Sequence, residues 1–306
     1  MSPVVAAIDC GTNTIRLLVA SRASDGRLME HDRRLSFVGL GQGVDATGRF
    51  DPAAVRRTLA ACDQFAAVIA DDDVDAIRFV ATSATRDAAN RDLLMDGVRA
   101  RLGVEPEVIS GDEESRLSFT GALSGVRHCG DPVLVMDAGG GSTELVRGRC
   151  TGDIEAGQSI DIGSRRVRER YLRHDPPSPE EIANARAEVS RMLDDVVVDL
   201  TGIRTFIGVA GTVTTMAALA QGLMHYDRSR VHGYPMSRQQ VAGLTTRLLG
   251  STVAEVAAMG AVQAQRAEVL CGGALVVNEV MNRLDVEQLI ASEADILDGI
   301  ALSLLG

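Results

Sequence analysis

The stretch Val133-Leu-Val-Met-Asp137-Ala-Gly139-Gly140-Gly141-Ser142-Thr143-Glu144-Leu-Val146 decides how this chain is read. Its opening, rich in Val and Leu, has the character of a buried strand and ends on an acid. Three glycines come next, then two hydroxyls and a second acid. Glycine lets backbone N–H groups close around an anion, and the flanking acids stand where a divalent cation or an attacking water would be held. Taken alone, the same stretch is an ordinary hairpin with a glycine turn.

A second copy changes the balance. Near the N-terminus, Val4-Val-Ala-Ala-Ile8-Asp9-Cys10-Gly11-Thr12-Asn13-Thr14-Ile15-Arg16-Leu17-Leu18-Val19 repeats the order of apolar strand, Asp, any residue, Gly, small polar residues and apolar strand. Two such units in one chain predict a duplicated α/β fold, each half presenting a phosphate loop to a shared cleft.

Composition narrows the function. A chain of 306 residues with 45% hydrophobic and 24% charged residues is an ordinary soluble globular protein of one large or two medium domains. A net charge of −11, with aromatics at 3% and no Trp, argues against nucleic acid or an anionic membrane as partner. Every basic side chain other than His is Arg. The absence of Lys excludes a P-loop lysine, a Schiff base and a lysine general base. Five scattered cysteines predict neither a disulfide framework nor a zinc site and fit a reducing cytoplasm, and five His without i,i+4 spacing give no His-based metal centre. The N-terminal apolar run carries Asp9 and Arg16, too broken for a signal peptide or membrane span.

Further along, Asp51-Pro52 caps a helix whose apolar residues recur at Val55, Leu59, Cys62, Phe65 and Ile69. The strand Ala76-Ile-Arg-Phe-Val-Ala81 runs into Thr82-Ser-Ala-Thr-Arg86, where Arg86 either reaches an anion at a helix start or is an ordinary exposed arginine. Ser110-Gly-Asp-Glu113-Glu114-Ser-Arg-Leu117 opens a helix expected to run to about Arg127. Acids suit its first turn, and one of them aimed into a cleft would serve as a general base. Gly163-Ser-Arg165-Arg166-Val-Arg168-Glu-Arg170-Tyr-Leu-Arg173 is either a solvated helix face or a polyphosphate track. Thr205-Phe-Ile-Gly208-Val-Ala-Gly211-Thr212-Val-Thr214-Thr215 is a third phosphate-loop candidate, and Ile296 to Leu305 is a closing apolar helix.

In their order, these motifs resemble the exopolyphosphatase/guanosine pentaphosphate phosphohydrolase (Ppx/GppA) family. The resemblance rests on Asp9-Cys-Gly-Thr-Asn-Thr14, Val80-Ala-Thr-Ser-Ala-Thr-Arg86, Ser110-Gly-Asp-Glu-Glu-Ser-Arg-Leu117, Asp137-Ala-Gly-Gly-Gly-Ser-Thr-Glu144, Gly211-Thr-Val-Thr-Thr215, His232-Gly-Tyr234 and Arg266-Ala-Glu-Val-Leu270. It implies two actin/Hsp70/sugar-kinase-like (ribonuclease H-like) domains, each with a mixed five-stranded sheet, and an active site in the interdomain cleft. The expected domains are residues 1–126 and 127–306, with the last helix, about 296–306, free to pack back on the first.

By the same resemblance, Glu114 is the general base, and Asp137 and Glu144 are catalytic acids. Phosphate binding falls to Gly11, Thr12, Asn13, Thr14, Arg86, Gly139, Gly140, Gly141, Ser142, Thr143, Gly211, Thr212 and Arg266. Mg²⁺, or Mn²⁺ in its place, would be held by Asp9, Asp137 and Glu144. The implied substrate is inorganic polyphosphate, short chains in particular, with guanosine pentaphosphate as the alternative. An ATP-dependent kinase and a non-catalytic polyphosphate or alarmone sensor are more distant readings. A homodimer is left open. Longer family members append a helical C-terminal region before which this sequence is expected to stop, the usual lysines for polyphosphate are absent, and Ser292-Glu-Ala-Asp-Ile-Leu-Asp298-Gly299 lacks the Arg often found just before its Glu and Gly.

Overall fold

The computed structural model describes residues 2–126 and 129–306. The chain divides into two compact units, one formed by Met1–Ser124 with Ile296–Gly306 and the other by Gly125–Asp295.

In the first unit, β1 (Val4–Cys10), β2 (Thr14–Arg22) and β3 (Leu28–Phe37) form an antiparallel meander. After it come α1 (Val44–Thr47), α2 (Pro52–Asp71), β4 (Ala76–Ala81), α3 (Ser83–Asp87), α4 (Asp92–Leu102), β5 (Glu107–Val108) and α5 (Gly111–Ser124). The sheet order is β3-β2-β1-β4-β5, with β4 parallel to β1. Because β1 is covered on both faces, its residues are apolar at consecutive positions rather than alternate ones. Ala6, Ile8 and Cys10 pack with Val55 and Phe65 of α2 and Leu94 of α4, while Val5 and Ala7 face the other way. At the start of α2, Asp51 accepts a hydrogen bond from the amide of Ala53 and Pro52 stands at the first turn, as the sequence predicts. The helix expected to reach Arg127 ends at Ser124; Arg127 and His128 lie outside the described residues.

The second unit repeats the plan with β6 (Val133–Ala138), β7 (Thr143–Gly148) and β8 (Ile154–Ile160). Next come α6 (Ser164–Tyr171), α7 (Pro179–Asp194), β9 (Thr205–Val209), α8 (Ala210–Ala220), α9 (Arg228–Val231) and β10 (Pro235–Ser237). The remainder is α10 (Arg238–Leu249), α11 (Val253–Ala257), α12 (Ala264–Met281) and β11 (Gln288–Ala291). Its order, β10-β11-β9-β6-β7-β8, contains the first sheet's topology and adds one strand. The expected five strands are therefore six. The backbones of Gly233 and Tyr234 bond to both sides of Ala291, and this zips Pro235–Ser237 onto the edge, where a proline is tolerated.

The last helix, α13 (Ile296–Leu305), belongs to the first unit. Its Ile296, Leu297, Ile300 and Ala301 cover Val5, Ala7, Leu18 and Val80 beside Leu117 of α5. A Cβ on Gly299 would stand 2.0 Å from the carbonyl oxygen of Leu117, so α13 and α5 cross at backbone contact.

The cysteine expectation is corrected. Cys129 and Cys150 form a disulfide with their Cα atoms 6.0 Å apart. Pairing of Val133 with Gly148 across the β6–β7 hairpin brings the two flanks together, a proximity that the linear spacing conceals. Cys10, Cys62 and Cys271 are free and buried; burial raises all three thiols, that of Cys62 to about 12. Among the described residues no helix is long and apolar enough to cross a membrane.

The α13–α5 crossing yields a direct test. Gly299→Val should lower the free energy of unfolding by about 1–3 kcal/mol through overpacking, measured by urea denaturation. An unchanged midpoint would mean that the crossing yields at no cost.

Candidate active site

The two leading hairpins share one register. Asp9 pairs with Arg16 and Cys10 with Ile15 in the first; Asp137 pairs with Glu144 and Ala138 with Thr143 in the second. Each turn closes the same way, with Gly11 N–H donating to Thr14 O at 2.9 Å and Gly139 N–H to Ser142 O at 3.1 Å.

The segment after each third strand draws the loop carbonyls backwards. Gly41 N–H donates to Thr12 O at 2.8 Å, and the amides of Val38 and Gly39 both donate to Asn13 O. In the second unit, Ser164 N–H donates to Gly139 O, and the amides of Arg165 and Arg166 donate to Gly140 O. The Arg166 Nε–H takes Gly141 O at 2.8 Å. A Cβ on Gly163 would lie 2.4 Å from the carbonyl carbon and oxygen of Gly140, so only glycine allows this approach. The N–H groups of Thr12, Gly140 and Gly141 have no backbone acceptor among the described residues. Thr12 and Gly141 are buried and Gly140 partly so, and backbone N–H groups in a nest of this kind suit an anion.

The Arg-rich run divides accordingly. It forms α6, but the side chains of Arg165 and Arg166 are only 9% and 10% exposed. Arg165 reaches Glu169 at 3.3 Å and Arg166 braces the glycine loop, so neither belongs to a solvated face. The hydroxyl of Thr143 also looks back, donating to Ile162 O, while Ser142 is buried in the turn.

The third loop is duplicated as well. Val80 of β4 lies beside Asp9, and Val209 of β9 lies beside Asp137. Val80-Ala-Thr-Ser-Ala-Thr-Arg86 and Val209-Ala-Gly-Thr-Val-Thr-Thr215 therefore leave equivalent strand ends. Ala210 has φ 68°, a left-handed conformation that costs a non-glycine residue roughly 1–2 kcal/mol. A Cβ on Gly211 would be 1.6 Å from Nη1 of Arg266 and 2.1 Å from its Cζ. The guanidinium of Arg266, from the first turn of α12, thus lies directly on the Gly211 backbone. Thr212 is buried beside it, and Thr215 Oγ1 donates to Gly211 O.

Geometry separates the two adjacent acids of α5. Glu113 has a side chain 44% exposed and bonded to Arg78. Glu114 is 9% exposed, and Arg86 Nη1 donates to its Oε2 at 2.6 Å and to Ile109 O at 3.1 Å. In the second unit Asp137 and Glu144 are buried cross-strand neighbours, and Ser159 Oγ donates to Glu144 Oε1 at 2.6 Å. In the first unit Asp9 is held by Nε and Nη2 of Arg16, at 3.1 and 2.6 Å. Arg16 and Ser159 escaped the sequence reading because only the strand register reveals whom they face.

Among the described residues no three His, Cys, Asp or Glu side chains converge as a ready cation cage. Two neighbouring carboxylates still suit a cation such as Mg²⁺ that keeps waters and substrate phosphates as its other ligands. Asp137 and Glu144 meet that description, whereas Asp9 has its charge offset by Arg16.

Residues 19–306 match the Ppx/GppA phosphatase family. The chain belongs to the Ppx/GppA phosphatase family. It is 44% identical to Exopolyphosphatase 2 of Mycobacterium tuberculosis, over 99% of this chain and 98% of that one. A crystal structure of an exopolyphosphatase-like protein superposes with a TM-score of 0.96 at 43% identity, covering 99% of this chain and 98% of that one. The Aquifex aeolicus Ppx/GppA family member gives a TM-score of 0.85 at 27% identity, over 100% and 98% of the two chains. The fold is thus the two-sheet, actin-like α/β architecture of this family.

The strain at Ala210 can be measured. Ala210→Gly should raise the unfolding free energy by about 1 kcal/mol, since glycine adopts positive φ freely. A destabilised variant would mean that the Ala210 side chain contributes more than its backbone conformation costs.

Proposed function

We propose that this protein is an exopolyphosphatase, a hydrolase that removes the terminal phosphoryl group of inorganic polyphosphate as orthophosphate. The observation that carries the reading is the braced glycine loop lying between two cross-strand acids, Asp137 and Glu144. A relative named as an exopolyphosphatase, 44% identical along nearly the whole chain, supports it.

Phosphoryl transfer asks the protein for position and charge rather than covalent chemistry. In the second unit the amides of Gly140 and Gly141 donate to phosphate oxygens and Arg266 offsets their charge; in the first unit the Thr12 amide and Arg86 offer the same chemistry. Glu114 accepts a proton from water as the water oxygen bonds to the terminal phosphorus. The bridging P–O bond breaks, and the shortened chain leaves with that electron pair. Ser159 holds one oxygen of Glu144, which fixes the direction of the other. Mg²⁺, or Mn²⁺, held by Asp137 and Glu144 would neutralise charge on the transferred group. The proposal keeps the enzyme in the cytoplasm, where the Cys129–Cys150 bond is the feature a reducing environment would challenge.

Phosphate release should be compared across short polyphosphate, long polyphosphate, guanosine pentaphosphate and ATP. Glu114→Gln should lower kcat on the preferred substrate by about 10²–10⁴-fold and leave KM nearly unchanged. Chelation should abolish release, and added Mg²⁺ or Mn²⁺ should restore it. Wild-type turnover in the Gln variant would remove Glu114 from the reaction, and release from guanosine pentaphosphate alone would reassign the substrate.

A further inference from the structure

The His232-Gly-Tyr234 motif has no part in the reaction just described, yet it occupies a singular place in the chain. The polypeptide passes between the two compact units twice, outward after Ser124 and back after Asp295. One imidazole is bonded to both passages. His232 Nε2 lies 3.0 Å from the carbonyl oxygen of Gly125, the first residue beyond α5. On the other side of the ring, the backbone N–H of Glu293 donates to Nδ1 at 3.1 Å. A Cβ on Gly125 would be 2.8 Å from His232 Cε1 and 2.8 Å from Ala294 Cβ, so the two passages and the ring are in close contact.

The backbone explains why the ring stands there. Gly233 N–H donates to Ala291 O and Ala291 N–H donates to Tyr234 O, which lays the motif antiparallel to the end of β11. The returning passage is tied down independently. Ser292 N–H donates to Gly208 O of β9, and Ser292 Oγ closes a tight turn with Ala294. The Glu293 carboxylate accepts from the hydroxyl of Tyr226 and pairs with Arg228 at 3.3 Å. Burial and the Glu293 charge raise the Tyr226 phenol, so it remains a donor.

We propose that His232 is a positioning residue that staples the two chain passages together as a neutral imidazole carrying its proton on Nε2. The tautomer is dictated by the partners. An amide N–H can only donate, so Nδ1 must accept, and a carbonyl can only accept, so Nε2 must donate. Both ring nitrogens are thereby used, and no other type of side chain supplies one acceptor and one donor across that span. Through Ser292 and Gly208, the stapled passage is continuous with the strand that delivers Ala210 and Gly211. The staple therefore steadies the third loop without touching substrate.

Two readouts test this. Nitrogen-15 NMR of histidine-labelled protein should show His232 in the Nε2–H form; the Nδ1–H form would overturn the assignment. Amide hydrogen exchange at Glu293 is the second. Asn places an amide oxygen near the Nδ1 position, and Gln places an amide nitrogen near the Nε2 position. His232→Asn should keep Glu293 exchange within about twofold of wild type, whereas His232→Gln and His232→Phe should speed it by about tenfold, the equivalent of one lost hydrogen bond. Equal exchange in the Asn and Gln variants would contradict the staple, as would wild-type exchange in the Phe variant. If His232→Phe does not fold, the Asn and Gln pair together with the wild-type tautomer still decide. Phosphate release should fall by about tenfold in the Gln variant, in kcat rather than KM. Neither the tautomer nor the exchange depends on the substrate, so failure of the proposed activity would leave this test intact.

Discussion

Everything at the site depends on where a few backbone carbonyls are drawn. In each hairpin loop the chain beyond the third strand takes the loop's carbonyl oxygens from behind, through Gly41 in one unit and through Ser164, Arg165 and Arg166 in the other. Peptide groups are rigid, so fixing the carbonyls also aims the adjoining N–H groups. A loop of glycines without that bracing would sample many conformations and offer an anion no fixed cradle. The contact of Gly163 on Gly140 and the inward turn of Arg166 belong to this bracing.

The duplication is structural rather than chemical. The same register that sets Asp137 opposite Glu144 sets Asp9 opposite Arg16. An ion pair in one hairpin leaves little net charge there. Two carboxylates in the other would suit a cation. The third loops diverge likewise. Arg86 pairs with Glu114 in the first unit, while Thr215 takes the equivalent position in the second and the guanidinium arrives instead from Arg266 of α12. One hairpin plan thus carries an ion pair in one unit and a pair of carboxylates in the other.

Much of this was legible in the sequence because it is local. Asp51-Pro52 caps a helix within three residues, and the apolar run of 296–305 is helical throughout. The motif that opens with Asp, any residue and Gly marks both hairpins before any contact is known. The features that escaped are non-local or conformational. The Cys129–Cys150 bond depends on hairpin register, and β10 is too short to show a period. Arg166 looks like a surface residue until its carbonyl partner is seen, and Ala210 carries no sign of its positive φ. Glu113 and Glu114 cannot be told apart in sequence; burial and the choice between Arg78 and Arg86 separate them.

The central claim is that the braced loops receive phosphate through their backbone amides. Its most direct measurement is an amide nitrogen-15 NMR titration of the protein with a non-hydrolysable diphosphate analogue and Mg²⁺. The expected result is that the amide signals of Thr12, Gly140 and Gly141 each shift and saturate. Saturable binding that leaves those three signals unmoved would contradict it.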